Sequence, residues 1–94
     1  MAKLKHHETI EEAVRYLENQ FDRLASEHEP GELVLPLREE IVRLLKEEYP
    51  REVVLGSLDD YRHVLRDTGR EEYEDDVQDV MDLMTGFGPP RLRI

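Results

Sequence analysis

The chain has 94 residues, with 13 Lys plus Arg against 23 Asp plus Glu, a formal charge of −10 at pH 7, and neither Cys nor Trp. This length fits one domain, and no apolar run approaches the roughly 18 residues of a membrane span; Leu33-Val34-Leu35 is cut short by Pro36. Without cysteine there is neither a disulfide framework nor a thiolate metal site, and the acidic excess disfavours phosphate backbones and anionic membranes as partners.

Met1 to His7 carries charge with no apolar stretch behind it, so no secretory signal is expected and the protein reads as cytoplasmic. The bases do not cluster: Lys3 and Lys5 stand near one end, Arg91 and Arg93 near the other, and the remaining nine are scattered among acids. Basic or neutral proteins, or cations, are the partners such a charge attracts.

Breaks at Pro30-Gly31, Pro36, Pro50, Gly56, Gly69 and from Gly86 to Pro90 divide the chain into four predicted helices and a tail. In the first, Ile10, Val14, Leu17, Phe21 and Leu24 recur at helical spacing, with Ala13 and Ala25 widening the stripe. Thr9 and Glu12 form a capping-box pattern at its start. Five seam residues are many for so small a core, which raises the expectation of a homodimer through this helix. The second helix is predicted from Pro36 to Tyr49, with Leu37, Ile41, Leu44, Leu45 and Tyr49 on one face.

Glu32 to Leu35 and Arg51 to Leu55 read equally as helical turns or as short extended pieces. A small two-stranded element joining them is the alternative. Ser57 is expected to cap the third helix, with Asp60 three residues on, and Gly69 to end it. The fourth is predicted from Arg70 to Thr85, burying Tyr73, Val77, Val80, Met81 and Met84. Its other faces carry Glu71, Glu72, Glu74, Asp75, Asp76, Asp79 and Asp82, seven acids with no base before Arg91. The tail cannot be helical through Pro89-Pro90, and Arg91-Leu92-Arg93-Ile94 alternates as an extended segment does. The predicted fold is therefore all-α: a compact, mainly antiparallel bundle of four helices over residues 9–86, a leader over 1–8 and an extended tail over 87–94.

Chemical constellations are sparse. Asp60 and His63, and Asp59 and His63, share a helix face at ligand spacing. Only one such pair exists, so a surface ion pair is the simpler expectation than a metal site completed by glutamates of the first helix. His6-His7-Glu8 offers adjacent ligands of low specificity. Helices two and three, about seven residues apart, have the outline of a helix-turn-helix reading DNA through Leu58 to Asp67. Asp59, Asp60 and Asp67 would oppose phosphate contact there, so direct nucleic-acid binding is not expected.

In a small acidic helical chain, Ser57-Leu58 resembles the Asp-Ser-Leu that holds the carrier serine of acyl carrier proteins. The resemblance covers these two residues alone, with Gly56 in the place of the aspartate; it implies a carrier attachment at Ser57, against which stands the reading of Ser57 as a helix cap.

The unbalanced acidic helix is the strongest signal. An exposed helix usually mixes both signs, and seven like charges repel one another. The expected function is non-enzymatic and needs no cofactor. It is a regulatory or interaction module binding a basic protein through Glu72, Asp75, Asp76, Asp79 and Asp82 together with Phe87, Arg91, Leu92, Arg93 and Ile94. A DNA mimic that blocks a basic site is a special case; a metal-binding or catalytic bundle using Asp60 and His63 is the alternative.

Overall fold

Thr9 starts the first helix, α1 (Ile10–Ser26). Its Oγ1 accepts the Glu12 N–H at 3.1 Å, while the Glu12 carboxylate accepts the N–H of Glu8 at 3.2 Å. The two ends of the capping exchange thus form, the return bond reaching one residue before the cap. In this computed structural model, which describes residues 7–88 and 90–94, three further helices follow: α2 (Val34–Lys46), α3 (Arg51–Asp67) and α4 (Glu74–Met84). Single 3-10 turns stand at Glu71–Tyr73 and Pro90–Leu92. The structure is an all-α bundle of four helices, with no strand among the described residues. Its radius of gyration, 12.7 Å, matches the roughly 12 Å of a folded chain this long.

The buried line of α1 is Ala13, Leu17, Phe21 and Ala25. Val14 and Leu24 flank it, and Ile10 is 61 % exposed. The stripe is rotated from the one expected, its fully buried line running through the two alanines rather than the outer aliphatics. Leu17 and Phe21 are fully covered within the chain.

α2 begins two residues before Pro36, which falls in the first turn where its missing N–H costs nothing. It ends with Glu48 in the left-handed region, φ 71°, and Tyr49 N–H bonded back to the Leu44 carbonyl at 3.2 Å. The helix therefore stops before Tyr49, which is nonetheless buried just beyond it.

The main departure from expectation is α3. It starts directly after Pro50 and absorbs Val53 and Val54, so Ser57 lies inside the helix and is no cap. Val53, Val54, Ser57, Leu58, Tyr61 and Leu65 are its buried face; tertiary burial of the valines outweighs their weak β preference. Residues 34–35 and 53–55 are likewise helical, so neither joins a two-stranded element. Ser57 Oγ donates to the Val53 carbonyl at 2.7 Å and the residue is fully buried, which leaves no access for a carrier group. Gly69 ends the helix at φ 74°, with the Arg70 N–H on the Leu65 carbonyl at 2.7 Å.

α3 is the central element, packed on α1 and on α4, while α4 also packs on α2. Antiparallel pairing of α3 and α4 is fixed along its length by Arg66 on Glu74, Arg62 on Gln78 and Arg51 on the Met84 carbonyl. The C-terminal halves of α1 and α3 lie side by side, where Phe21 meets Tyr61 with ring centroids 6.0 Å apart.

Gly56 sits mid-α3 with open space where a Cβ would stand. Gly56→Ala is expected to raise the unfolding free energy by about 1 kcal/mol, since glycine there only adds backbone entropy to the unfolded chain. Urea unfolding checks this; a lower midpoint would show that the glycine has a packing role.

Candidate functional site

The expected docking residues separate into two groups. Glu72, Asp75 and Asp79 are exposed, and Asp82 is half-buried with its Oδ1 accepting from Gln78 Nε2 at 3.0 Å. Asp75, Asp79 and Asp82 fall on one side of α4, since residues four and seven apart share a face. None of Glu72, Asp75 and Asp79 forms an ion pair among the described residues. Desolvation first, then the carboxylates of Asp76, Asp82 and Asp75, push the Asp79 carboxyl above its ordinary value. The neighbouring like charges thus add, after burial, to what opposes ionisation of Asp79.

Asp76 does not belong to this face. It is 4 % exposed, and its carboxylate accepts the Gly31 N–H at 2.8 Å and the Leu33 N–H at 2.9 Å. Both donors lie in the segment entering α2, which has no side-chain cap of its own. An acid from α4 thus does the capping across the fold, at the end of α2 where the helix dipole favours negative charge. Tyr73 assists by donating its hydroxyl to the His28 carbonyl at 2.7 Å.

The tail folds back on its own chain through the turn at Pro90–Leu92 rather than running as an added strand. Arg38 Nε donates to the Leu92 carbonyl at 2.6 Å, and the Ile94 N–H to the Leu83 carbonyl at 3.1 Å. Leu92 and Ile94 are half-buried, Ile94 against the core. Phe87 is 67 % exposed. Arg91 and Arg93 are also exposed, and Arg93 Nε donates to the Gly88 carbonyl at 3.3 Å. The tail arginines form no ion pair with α4 among the described residues.

The expected Asp–His pairing takes another form. His63 Nδ1 donates to the Asp59 backbone carbonyl at 3.0 Å, and the Asp59 carboxylate pairs with Arg62 at 2.5 Å. Asp60 is exposed and faces α1, where burial first and the Asp60 charge second raise the Glu18 carboxyl. Among the described residues no group of three or more His, Asp or Glu is arranged to hold a metal ion. His6 lies outside the described residues; His7 Nε2 stands 2.9 Å from the Tyr49 hydroxyl.

Four residues, 47–50, rather than about seven, join α2 to α3, and the exposed positions of α3 carry Glu52, Asp60 and Asp67 alongside Arg51 and Arg66. No helix among the described residues is long and apolar enough to cross a membrane.

Sequence reasoning missed the residues that tie elements together, chiefly Asp22 and Gln78. A single polar residue at the edge of an apolar stripe carries no periodic signal, so only the tertiary structure reveals its partner. Comparison of the chain with protein-family profiles, with curated proteins and with solved structures gives no match, so the site rests on its own geometry.

Proposed function

We propose that this protein is a small acidic helical interaction module that binds a partner protein with a basic surface through the exposed side of α4 and the adjoining tail. The observation that carries this reading is the uncompensated stripe Asp75, Asp79 and Asp82, continued by exposed Phe87. An opposing cation would relieve the mutual repulsion already present at Asp79 and steer association electrostatically. Asp76 is excluded from the face because its charge is spent inside the fold. We place the interaction in the cytoplasm, since a fold held by packing and hydrogen bonds needs no oxidising compartment.

The test is capture from native lysate by the intact protein and by a triple Asp75→Asn, Asp79→Asn, Asp82→Asn variant. With each exposed pair contributing a fraction of a kcal/mol, the triple variant is expected to bind roughly tenfold more weakly. The wild-type interaction should also fade at high salt. Undiminished capture by the triple variant would overturn the reading. Competition by duplex DNA for the captured protein would mark the special case of a nucleic-acid mimic.

A further inference from the structure

The side of the molecule formed by α2, the tail and α4 keeps apolar groups that the core does not use. Leu35 is 56 % exposed and Phe87 67 %. Among the half-buried Val, Leu and Ile residues described, Val42 and Leu92 are the two that do not pack on the core. Leu35, Val42 and Lys46 share the outer side of α2, at spacings of two turns and one. The tail lies between α2 and α4, tied to Arg38 through the Leu92 carbonyl and to Leu83 through the Ile94 N–H.

Charge on this side is divided rather than mixed. Arg38 and Lys46 of α2 stand with Arg91 and Arg93 of the tail, while Asp75, Asp79 and Asp82 stand on α4. Lys46, Arg91 and Arg93 form no ion pair among the described residues. With Glu39 and Glu72 added, the acids only just outnumber the bases, so this side is close to neutral on a chain of charge −10. The two helices that carry the opposite charges run parallel. Asp76 at the start of α4 caps the start of α2. At the other end, the short link from α2 brings Arg51 onto the Met84 carbonyl. A two-fold axis through the tail, normal to this side, therefore lays each α2 antiparallel on the partner's α4. At a helical rise of about 1.5 Å per residue, that operation sets Lys46 opposite the partner's Asp75, Arg38 opposite the partner's Asp82, and Leu35 opposite the partner's Phe87.

We propose that the partner of the acidic face is a second copy of this chain, joined through a two-fold interface in which the acidic stripe of each copy meets the α2 bases of the other. The inference rests on the docking face proposed above and names its occupant. A two-fold interface must be self-complementary, residue i meeting j wherever j meets i. Opposite charges carried on two parallel neighbouring helices satisfy that condition; a uniformly acidic face repels its own copy. Leu35 and Phe87 then cover each other, and the tail arginines fall near the axis, between the two acidic stripes. Two chains of charge −10 repel at long range, so the association is weak and reversible, and the near-neutral side is where it costs least.

Sedimentation equilibrium of the full chain from about 10 μM to about 1 mM reads the monomer–dimer constant, which is expected to fall within that range. Each substitution acts twice in a two-fold interface. Asp75→Lys and Lys46→Glu should therefore each weaken the dimer roughly tenfold, and the double variant should return close to the wild-type constant. Asp75→Lys is the decisive single change: it lowers the net negative charge, so it would strengthen any unspecific association. Recovery in the double variant separates a broken contact from a damaged fold. Leu35→Ala should also weaken the dimer. A chain that stays monomeric throughout, or an Asp75→Lys variant that dimerises as well as the wild type, overturns the second copy as occupant. The face and its occupant fail separately. Capture of a foreign basic protein that the triple acid variant loses keeps the face while giving it another partner. A dimer weakened by Leu35→Ala but untouched in the triple acid variant removes the acidic face itself.

Discussion

Asp76→Ala is expected to lower the unfolding free energy by about 3 kcal/mol, the largest single effect of any acidic residue in the chain. The carboxylate is buried and accepts from two backbone N–H groups, at Gly31 and Leu33. Leu33 is itself fully buried, so its N–H has no water to turn to when the acceptor is removed. Alanine leaves that donor orphaned, opens a small void, and frees the loop that positions the start of α2. Asp76→Asn keeps one acceptor oxygen but turns an amide NH2 towards a backbone donor, and should fall between the two. Asp75→Asn, one residue away and exposed, is the control and should leave stability within about 0.5 kcal/mol of the wild type. Urea unfolding measures all three, and amide exchange at Leu33 localises the effect. Equal stabilities for the Asp75 and Asp76 variants would show that the cap contributes nothing and that the acid is held by packing alone.

This contrast explains how much of the molecule was legible in its sequence. The four-helix architecture was, because periodic apolar residues and terminators such as Gly69 and Pro50 speak through local geometry. The start of α3 was not. Gly56-Ser57 has the composition of a turn, but Pro50 supplies a helix entry and Val53-Val54 continue the buried line into Leu58. Burial of the line settles a competition that local propensity leaves open.

The acidic helix was legible as composition and misread in one residue. Its acids look alike in sequence, yet one turns inward because the N-cap position of α2 is Leu33, which has no side chain able to cap a helix. A capless helix start elsewhere in the chain was the available clue, and it could be joined to Asp76 only by knowing that α2 packs on α4. The tail was legible in its apolar content, which implied docking, but the alternation of Arg91 to Ile94 suggested a strand. With no exposed sheet edge among the described residues to receive one, the segment coils against α2 and α4 instead.

Asp22→Ala is the second large change, expected to cost about 2 kcal/mol. One oxygen, Asp22 Oδ1, accepts the Tyr61 hydroxyl at 2.9 Å and Arg70 Nη1 at 2.6 Å, tying α1 to α3 and to the turn before α4. Tyr61 is 1 % exposed, so its hydroxyl depends on this partner, whereas the Asp22 side chain is 48 % exposed and keeps much of its hydration. That exposure is why the cost stays below that of Asp76. Tyr61→Phe should cost about 1 kcal/mol, and the double variant less than the sum of the two, since both remove the same bond. The pair also sets behaviour in alkali. Burial first, then the Asp22 hydrogen bond and charge, raise the Tyr61 phenol above its ordinary 10.0. The unfolded chain ionises near that ordinary value while the folded one holds its proton, so the contribution is whole below it and is lost as pH climbs through the higher folded value. Tyr61→Phe should flatten part of the alkaline decline in stability, the remainder belonging to Tyr49, which burial also raises. A decline as steep in the phenylalanine variant as in the wild type would mean that the buried phenol is not what alkali attacks, and would leave Asp22 as a partner of Arg70 alone.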